Sequence, residues 1–401
     1  MFLINNTLKI LISQAVWATG QAGLVFILSL TYGLEAVADY ILALAIYTPI
    51  ALFFSKNSRN LLAVDANKKL DVVLLLRERV LYSVIAFIIT GILIFVITTT
   101  HNTFLIVLWL ILARVSDQIA DVCFGFYQRE NLSNRIAWSQ LFRGIGSVLL
   151  IIVGYMDVVD FVFATALYAV IYILIVLYYD VLFILKRNEQ DLSVNTGLAA
   201  SFNFSALYPF LDTIHLNSLR YFFVFLLTKQ ELGYLGLAQT LYMPVQLFIT
   251  ACGFLFITHI RDLYEKNKAI GCLHVLKGMM LGALGSLIYI LFLIIIPVEY
   301  LVYVFPDDPG KGREYLICIS IIMAFFGMSG FISQILIVQG KVKKYSRGPS
   351  VGIIIFILSI LIFYWNDFSF TYKNVLLIFG MSAIVRFFYV LFWRDTGEKN
   401  I

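Results

Sequence analysis

The sequence predicts an all-α fold: a polytopic membrane protein of about twelve transmembrane helices in two six-helix halves. Three observations carry this. The 401 residues are 61% hydrophobic and 13% charged, with 35 Phe and 23 Tyr, far from the composition of soluble domains. Apolar runs recur along the whole length, each of roughly 17–25 residues and so able to cross about 30 Å of hydrocarbon as a helix. The loops between the runs alternate between basic and base-poor, the asymmetry that orients membrane proteins toward the cytoplasm. Little chain is left over for a soluble domain.

The apolar runs fall near 8–32, 36–54, 80–99, 104–125, 136–156, 161–185, 206–228, 232–257, 278–297, 315–338, 350–366 and 374–393. The first is too long for a signal-peptide core and is read as a retained helix. One set of loops holds Lys56, Arg59, Lys68, Lys69, Arg77, Arg79, Arg129, Arg135, Lys186, Arg187, Arg261, Lys266, Lys268, Lys277, Lys341, Lys343, Lys344, Arg347, Arg394 and Lys399. The opposite set holds only Lys229, Lys311, Arg313 and Lys373. This bias puts both termini in the cytoplasm, and an even number of spans agrees.

The polar interruption KRNEQDLSVNTG near mid-chain reads as a link. It gives an amino-terminal bundle over 1–185, a cytoplasmic linker over 186–205 and a carboxy-terminal bundle over 206–401. Each half then starts and ends inside, so a repeat would be related by an axis along the membrane normal. The first basic loop, AVDANKKLDVVLLLRERV, mixes charge with an apolar stripe, as either a helix lying on the inner leaflet or a solvated one would. Pro209 and Pro244 fall inside the seventh and eighth runs, where a proline breaks the hydrogen-bond ladder and bends the helix. Gly144 and Gly146, and Gly278, Gly282 and Gly285, permit close helix contact.

The chemistry lies in the ions inside the apolar runs. Arg114, Asp117 and Asp121 recur at helical spacing on one face, and the next run carries Arg143; the second half carries Asp212, His215, Arg220 and Arg386. Each such charge costs roughly 2.5–3.5 kcal/mol at the bilayer centre, so it must be paired or face a polar pathway. At about 1.5 Å per helical residue, Arg114, Arg220 and Arg386 come out near mid-depth, with Arg143, Asp121 and Asp212 closer to the cytoplasm. Three guanidinium groups at one level suggest an anion, and their planar forks suit a phosphate or diphosphate better than a sugar. Against this, Arg114 and Asp117 could simply neutralise each other. Asp212 is two turns from Arg220, roughly 12 Å along the axis and too far to pair with it, which leaves Arg220 and Arg386 as the better candidates for substrate-facing cations. His215, with Asp212, is a candidate for proton coupling, although a lone histidine can equally be a hydrogen-bonded packing residue. Asp180 is expected at the inner boundary, in contact with water.

Other chemistries are missing from the sequence. There is no glycine-rich phosphate loop, no HExxH or other dense ligand cluster, and no catalytic constellation, so neither a metal nor a cofactor is implied. Cys123, Cys252, Cys272 and Cys318 form no CxxC pair. The net charge of +5 resides in the orienting loops, so nucleic acid is not an expected partner.

The stretches YGLEAVADYILALAIYTPIALFFSKNSRNLLAVDA, FYQRENLSNRIAWSQLFRGIGSVL and SLRYFFVFLLTKQELGYLGLAQTLYMPVQ carry a resemblance that spans nearly the whole chain. In order they show a glycine-led short loop into the second span, an Arg59 to Asp65 stretch, the turn Gln128-Arg129, and Arg220-Tyr221 followed by Leu232-Gly233. They resemble the Wzx-type O-antigen and polysaccharide flippases of the multidrug/oligosaccharidyl-lipid/polysaccharide exporter superfamily. The resemblance implies two six-helix bundles around a central cavity that alternates between faces. It implies movement of an undecaprenyl-diphosphate-linked oligosaccharide from the inner to the outer leaflet of a bacterial plasma membrane. A polysaccharide polymerase and a chain-length regulator are the candidate partners, beside membrane lipids. By position, Arg114, Arg143, Arg220 and Arg386 match the charged lumen residues of such proteins.

Two other classes compete. A drug or cation antiporter of the same superfamily should be dominated by buried carboxylates, which the arginines oppose. A polysaccharide polymerase or ligase usually carries a long outer loop, and the longest here, around Glu299 to Glu314, is short.

Overall fold

The computed structural model describes residues 2–55, 58–59, 62, 70–98, 100–130, 132–156, 160–188, 207–266, 268–338 and 342–392. Among the described residues there is no strand. The helices are α1 (Phe2–Ser55), α2 (Val72–Ile97), α3 (His101–Arg129), α4 (Ser133–Tyr155), α5 (Phe161–Ile175), α6 (Leu182–Asn188), α7 (Leu207–Leu226), α8 (Lys229–Lys266), α9 (Lys268–Ile295), α10 (Pro309–Val338), α11 (Val342–Trp365) and α12 (Tyr372–Phe392). A π-helical stretch, Val176–Val181, joins α5 to α6, and a 3-10 stretch, Val298–Tyr303, precedes α10.

Every predicted run falls on a helix. The first two share α1, which is broken at Gly33 (φ 78°, ψ 178°), a conformation that glycine adopts without the penalty a Cβ would bring. Among the described residues, nine helical stretches are long and apolar enough to cross a membrane by length and composition, the first of them Ile12–Ser55 with its two runs. Neither α7 nor α8 is among the nine, and in α7 Asp212, His215, Asn217 and Arg220 interrupt the apolar run. The chain is thus a multi-pass membrane protein.

Two expectations change. Asp71 caps α2, its Oδ1 accepting from the amides of Val73 (2.8 Å) and Leu74 (3.3 Å), so this helix begins well before residue 80. Arg77 and Arg79 therefore belong to a membrane helix and not to a loop. Pro209 falls on α7 and Pro244 inside α8. The sixth run is not uniformly α-helical, because the π stretch interrupts it. Residues 63–69 of the first basic loop, and the predicted linker from residue 189 on, lie outside the described residues.

The chain divides into two compact units, Met1–Phe210 and Leu211–Ile401. In the first, α2 shows how the sequence is inverted relative to a soluble protein. Its buried face carries Arg79, Ser83, Ala86, Thr90 and Ile94, while Leu81, Ile88, Ile92 and Phe95 are exposed. Apolar groups outward and polar groups inward is the pattern that a hydrocarbon solvent selects. α1 crosses α4 closely: a Cβ on Gly144 would stand 2.8 Å from the backbone nitrogen of Trp17, closer than atoms pack. That contact brings Trp17 and Gln21 beside the polar residues of α4 and α5. In the second unit, Phe305, Tyr234, Tyr315 and Tyr372 stack in a column, and Lys311 reaches Glu231 at 2.6 Å beside it.

Candidate functional site

The first unit builds its polar centre on α3. Arg114 and Asp117, three residues apart, pair at 3.2 Å (Nη1 to Oδ2), as helical spacing allows. The same carboxylate is shared: Arg143 of α4 donates from Nη1 to Asp117 Oδ1 at 2.6 Å. Two guanidinium groups on one carboxylate leave the triad with a net charge of +1. Arg143 is almost wholly buried, but Arg114 and Asp117 each keep 15% of their side-chain surface.

Aromatic and hydroxyl groups hold this triad. Tyr40 in the second half of α1 accepts from Arg114 Nε (3.4 Å) and Nη2 (3.3 Å), and Trp17 lies with its ring 5.6 Å from the same guanidinium. Arg143 donates from Nε to the Ser139 carbonyl (3.2 Å) and lies over the ring of Phe124. Behind them Gln21 donates to Ser147 Oγ, Tyr168 and Tyr172, and Trp17 donates to the Tyr172 hydroxyl at 2.7 Å. Those bonds satisfy groups that would otherwise be costly in an apolar interior.

One turn further along α3, Asp121 accepts from Arg59 Nη1 at 2.9 Å. Arg79, buried on α2, donates to the carbonyls of Gln118 (2.9 Å) and Ala51 (3.2 Å) and to the Gln118 side chain. The bonded set on α3 thus contains Arg59, Arg79, Arg114 and Arg143 against Asp117 and Asp121. From the sequence, Arg59 and Arg79 are both expected in a basic loop. The signal for Arg79 is present in the spacing Arg79, Ser83, Ala86, Thr90, one polar-and-small face of a helix. Asp180, expected to be wet, is buried on the π stretch and accepts from Ser139 Oγ at 2.6 Å.

The second unit arranges its ions differently. Arg386 of α12 is not a cation without a partner acid: it pairs with Asp212 of α7, and it is buried while Asp212 keeps 36% of its side-chain surface. Sequence distance hid this pair, since only the fold brings α7 to α12. Arg220 lies elsewhere on α7 and donates from Nε to Gln239 Oε1 (2.8 Å) and from Nη1 to Asn217 Oδ1 (2.9 Å). Two amide oxygens therefore fix its plane. His215 is fully buried between Arg386 and Ser382. Among the described residues no group of three or more His, Cys, Asp and Glu side chains could hold a metal ion.

No protein-family model matches the sequence, and no curated protein does. Solved structures do. The MATE multidrug transporter DinF-BH is 16% identical over 98% of this chain and 95% of that one, with a TM-score of 0.71. An outward-facing multidrug resistance MATE family transporter of the MOP superfamily is 14% identical over 97% of this chain and 94% of that one, with a TM-score of 0.64. The lipid II flippase MurJ, in an inward closed conformation, is 14% identical over 98% of this chain and 86% of that one, with a TM-score of 0.54. At such identities the likeness is one of fold. The chain has the all-helical fold found in MATE transporters and in MurJ.

Proposed function

We propose that this protein is a membrane transporter, not an enzyme, and that it moves a lipid-linked oligosaccharide, with undecaprenyl diphosphate as the carrier, from the cytoplasmic to the outer leaflet by alternating access. The observation that carries the reading is Asp117 shared between Arg114 and Arg143. A carboxylate divided between two guanidinium groups leaves positive charge at a partly accessible place, where a diphosphate finds forked donors. Arg220, with its plane fixed by Asn217 and Gln239, is the corresponding donor in the second unit, and Asp212, paired with Arg386, precedes it on α7. Asp121, paired with Arg59, completes the proposed substrate path. The protein then belongs in the inner membrane of a bacterium with both termini cytoplasmic, beside a polysaccharide polymerase and a chain-length regulator.

A drug or cation antiporter has the same fold to draw on, since two of the similar structures are multidrug transporters. What favours the anion is the ratio of charges: around α3 a cation would meet the guanidinium groups of Arg59, Arg79, Arg114 and Arg143 against the carboxylates of Asp117 and Asp121.

Loss of the gene tests this. Lipid-linked repeat units should remain on the cytoplasmic leaflet and surface polysaccharide should disappear, while assembly of the unit continues. A mutant that keeps its surface polysaccharide but becomes sensitive to cationic dyes would select the antiporter instead. The topology is tested by cysteine labelling, with Lys266 and Lys344 accessible from inside and Asn102 and Asp308 from outside.

A further inference from the structure

His215 touches no solvent, and each of its two nitrogens has one polar neighbour. Nδ1 lies 3.4 Å from Arg386 Nη1, and Nε2 lies 3.1 Å from Ser382 Oγ. Ser382 sits one turn before Arg386 on α12, and its hydroxyl donates to the Phe379 carbonyl at 2.7 Å. The directions of these bonds close without choice. A guanidinium only donates, so Nδ1 must accept; the Ser382 proton is committed to Phe379, so its oxygen must accept from Nε2–H. The ring is boxed by Phe326 (centroids 4.9 Å apart) and Phe379 (5.5 Å). On the remaining side is Gly352 of α11, where a Cβ would collide with the imidazole. Asp212 lies three residues before His215 on the same face of α7, so one guanidinium spans both: Nη1 to the imidazole and Nη2 to the carboxylate.

We infer that His215 is a positioning residue: a neutral, Nε2-protonated imidazole that holds Arg386 by one amino group so that the other reaches Asp212. It is not a proton carrier. Protonating Nδ1 would set an N–H against the guanidinium N–H, two cations in contact inside an apolar box, while Asp212 is already engaged. Among the described residues, the charged groups on its side of the bundle are Arg386 from α12 and Asp212 from its own helix; α10 and α11 present Phe326 and Gly352. The assignment is independent of the substrate proposed above.

The test is nitrogen NMR of histidine-labelled full-length protein in lipid bilayers, with His101, His259 and His274 each replaced by Gln so that His215 alone reports. The expected spectrum shows one protonated and one bare nitrogen, with the Nε2–H tautomer unchanged between about pH 5 and 8. Adding Arg386→Gln should shift the Nδ1 resonance toward that of a free imine. An imidazolium at pH 5 with Arg386 present, an Nδ1–H tautomer, or an Nδ1 resonance indifferent to Arg386→Gln would each overturn the inference. If the Arg386 variant does not fold, the pH series on the Arg386-bearing protein decides alone. Failure of the transport reading would leave all of these spectra unchanged.

Discussion

The two units use the same ions in opposite ways. In the first, one carboxylate serves two guanidinium groups, and a second carboxylate serves Arg59 nearby. In the second, Arg386 pairs with Asp212 and has a neutral imidazole beside it, and Arg220 rests on two amide oxygens. The first arrangement concentrates positive charge; the second pairs one arginine with an acid and orients another through amides. Arginine among apolar helices therefore does not have a single meaning. Its partner decides whether it attracts a substrate or stabilises the fold.

The largest expected effect comes from Asp117. Asp117→Ala leaves Arg114 and Arg143 facing each other without the carboxylate they share, and unfolding of the purified protein in detergent should show a loss of about 3–5 kcal/mol. Arg143→Met placed on top should recover most of that loss, because it removes one of the two uncompensated charges. A harmless Asp117→Ala would break the comparison at its root.

Arg386→Gln should cost less, about 1–3 kcal/mol in the same assay, because the acid it abandons keeps 36% of its side-chain surface exposed. Asp212→Asn should be worse than Arg386→Gln, since it strands the buried member of the pair. Equal losses from the two would show that the exposure difference between the partners carries no weight.

Arg220→Lys sharpens the functional half of the contrast. A lysine has one point donor where Asn217 and Gln239 grip two edges of a fork, so stability should fall by only about 1 kcal/mol. Surface polysaccharide, corrected for protein abundance, should nevertheless fall about tenfold or more, since an ammonium cannot reproduce the fork toward a diphosphate. Full activity in Arg220→Lys would remove Arg220 from the substrate path. The smallest effect belongs to Tyr40→Phe, which deletes the hydroxyl that accepts from Arg114 and nothing else, at about 1 kcal/mol in the unfolding assay.

Much of this architecture is legible in the sequence because hydrocarbon is an undemanding solvent to read. Each apolar run, down to the glycine between the first two, corresponds to a helix in the fold. The Arg114 and Asp117 contact is equally local, being three residues apart on one helix. What escapes is whatever depends on which helices become neighbours. Asp212 meets Arg386 only because α7 packs beside α12, and Asp117 meets Arg143 only through α3 and α4. Arg79 escapes for a different reason: it stands in the charge-rich string RERV, and the charges there outweigh the periodicity that continues the helix outward to Asp71. Asp180 looks wet because it is close to Lys186 and Arg187, yet the π stretch turns it inward.

That π stretch has a consequence for how chain length can vary. Its wider turns take up one residue more than an α-helix would need to join the phases of α5 and α6, so Val176–Val181 carries a spare position. Backbone oxygens of this stretch also accept from side chains: Arg135 donates to the Tyr179 carbonyl at 2.8 Å, and Tyr127 to that of Asp180 at 3.3 Å. Removing a single amino acid here would leave Tyr172 and Ile184 on their present faces, whereas the same deletion elsewhere in the span would rotate everything after it by about 100°. The stretch is thus the place in this span where one residue can be removed without re-aiming the helix, and the bonds from Arg135 and Tyr127 are what a shortened variant would give up.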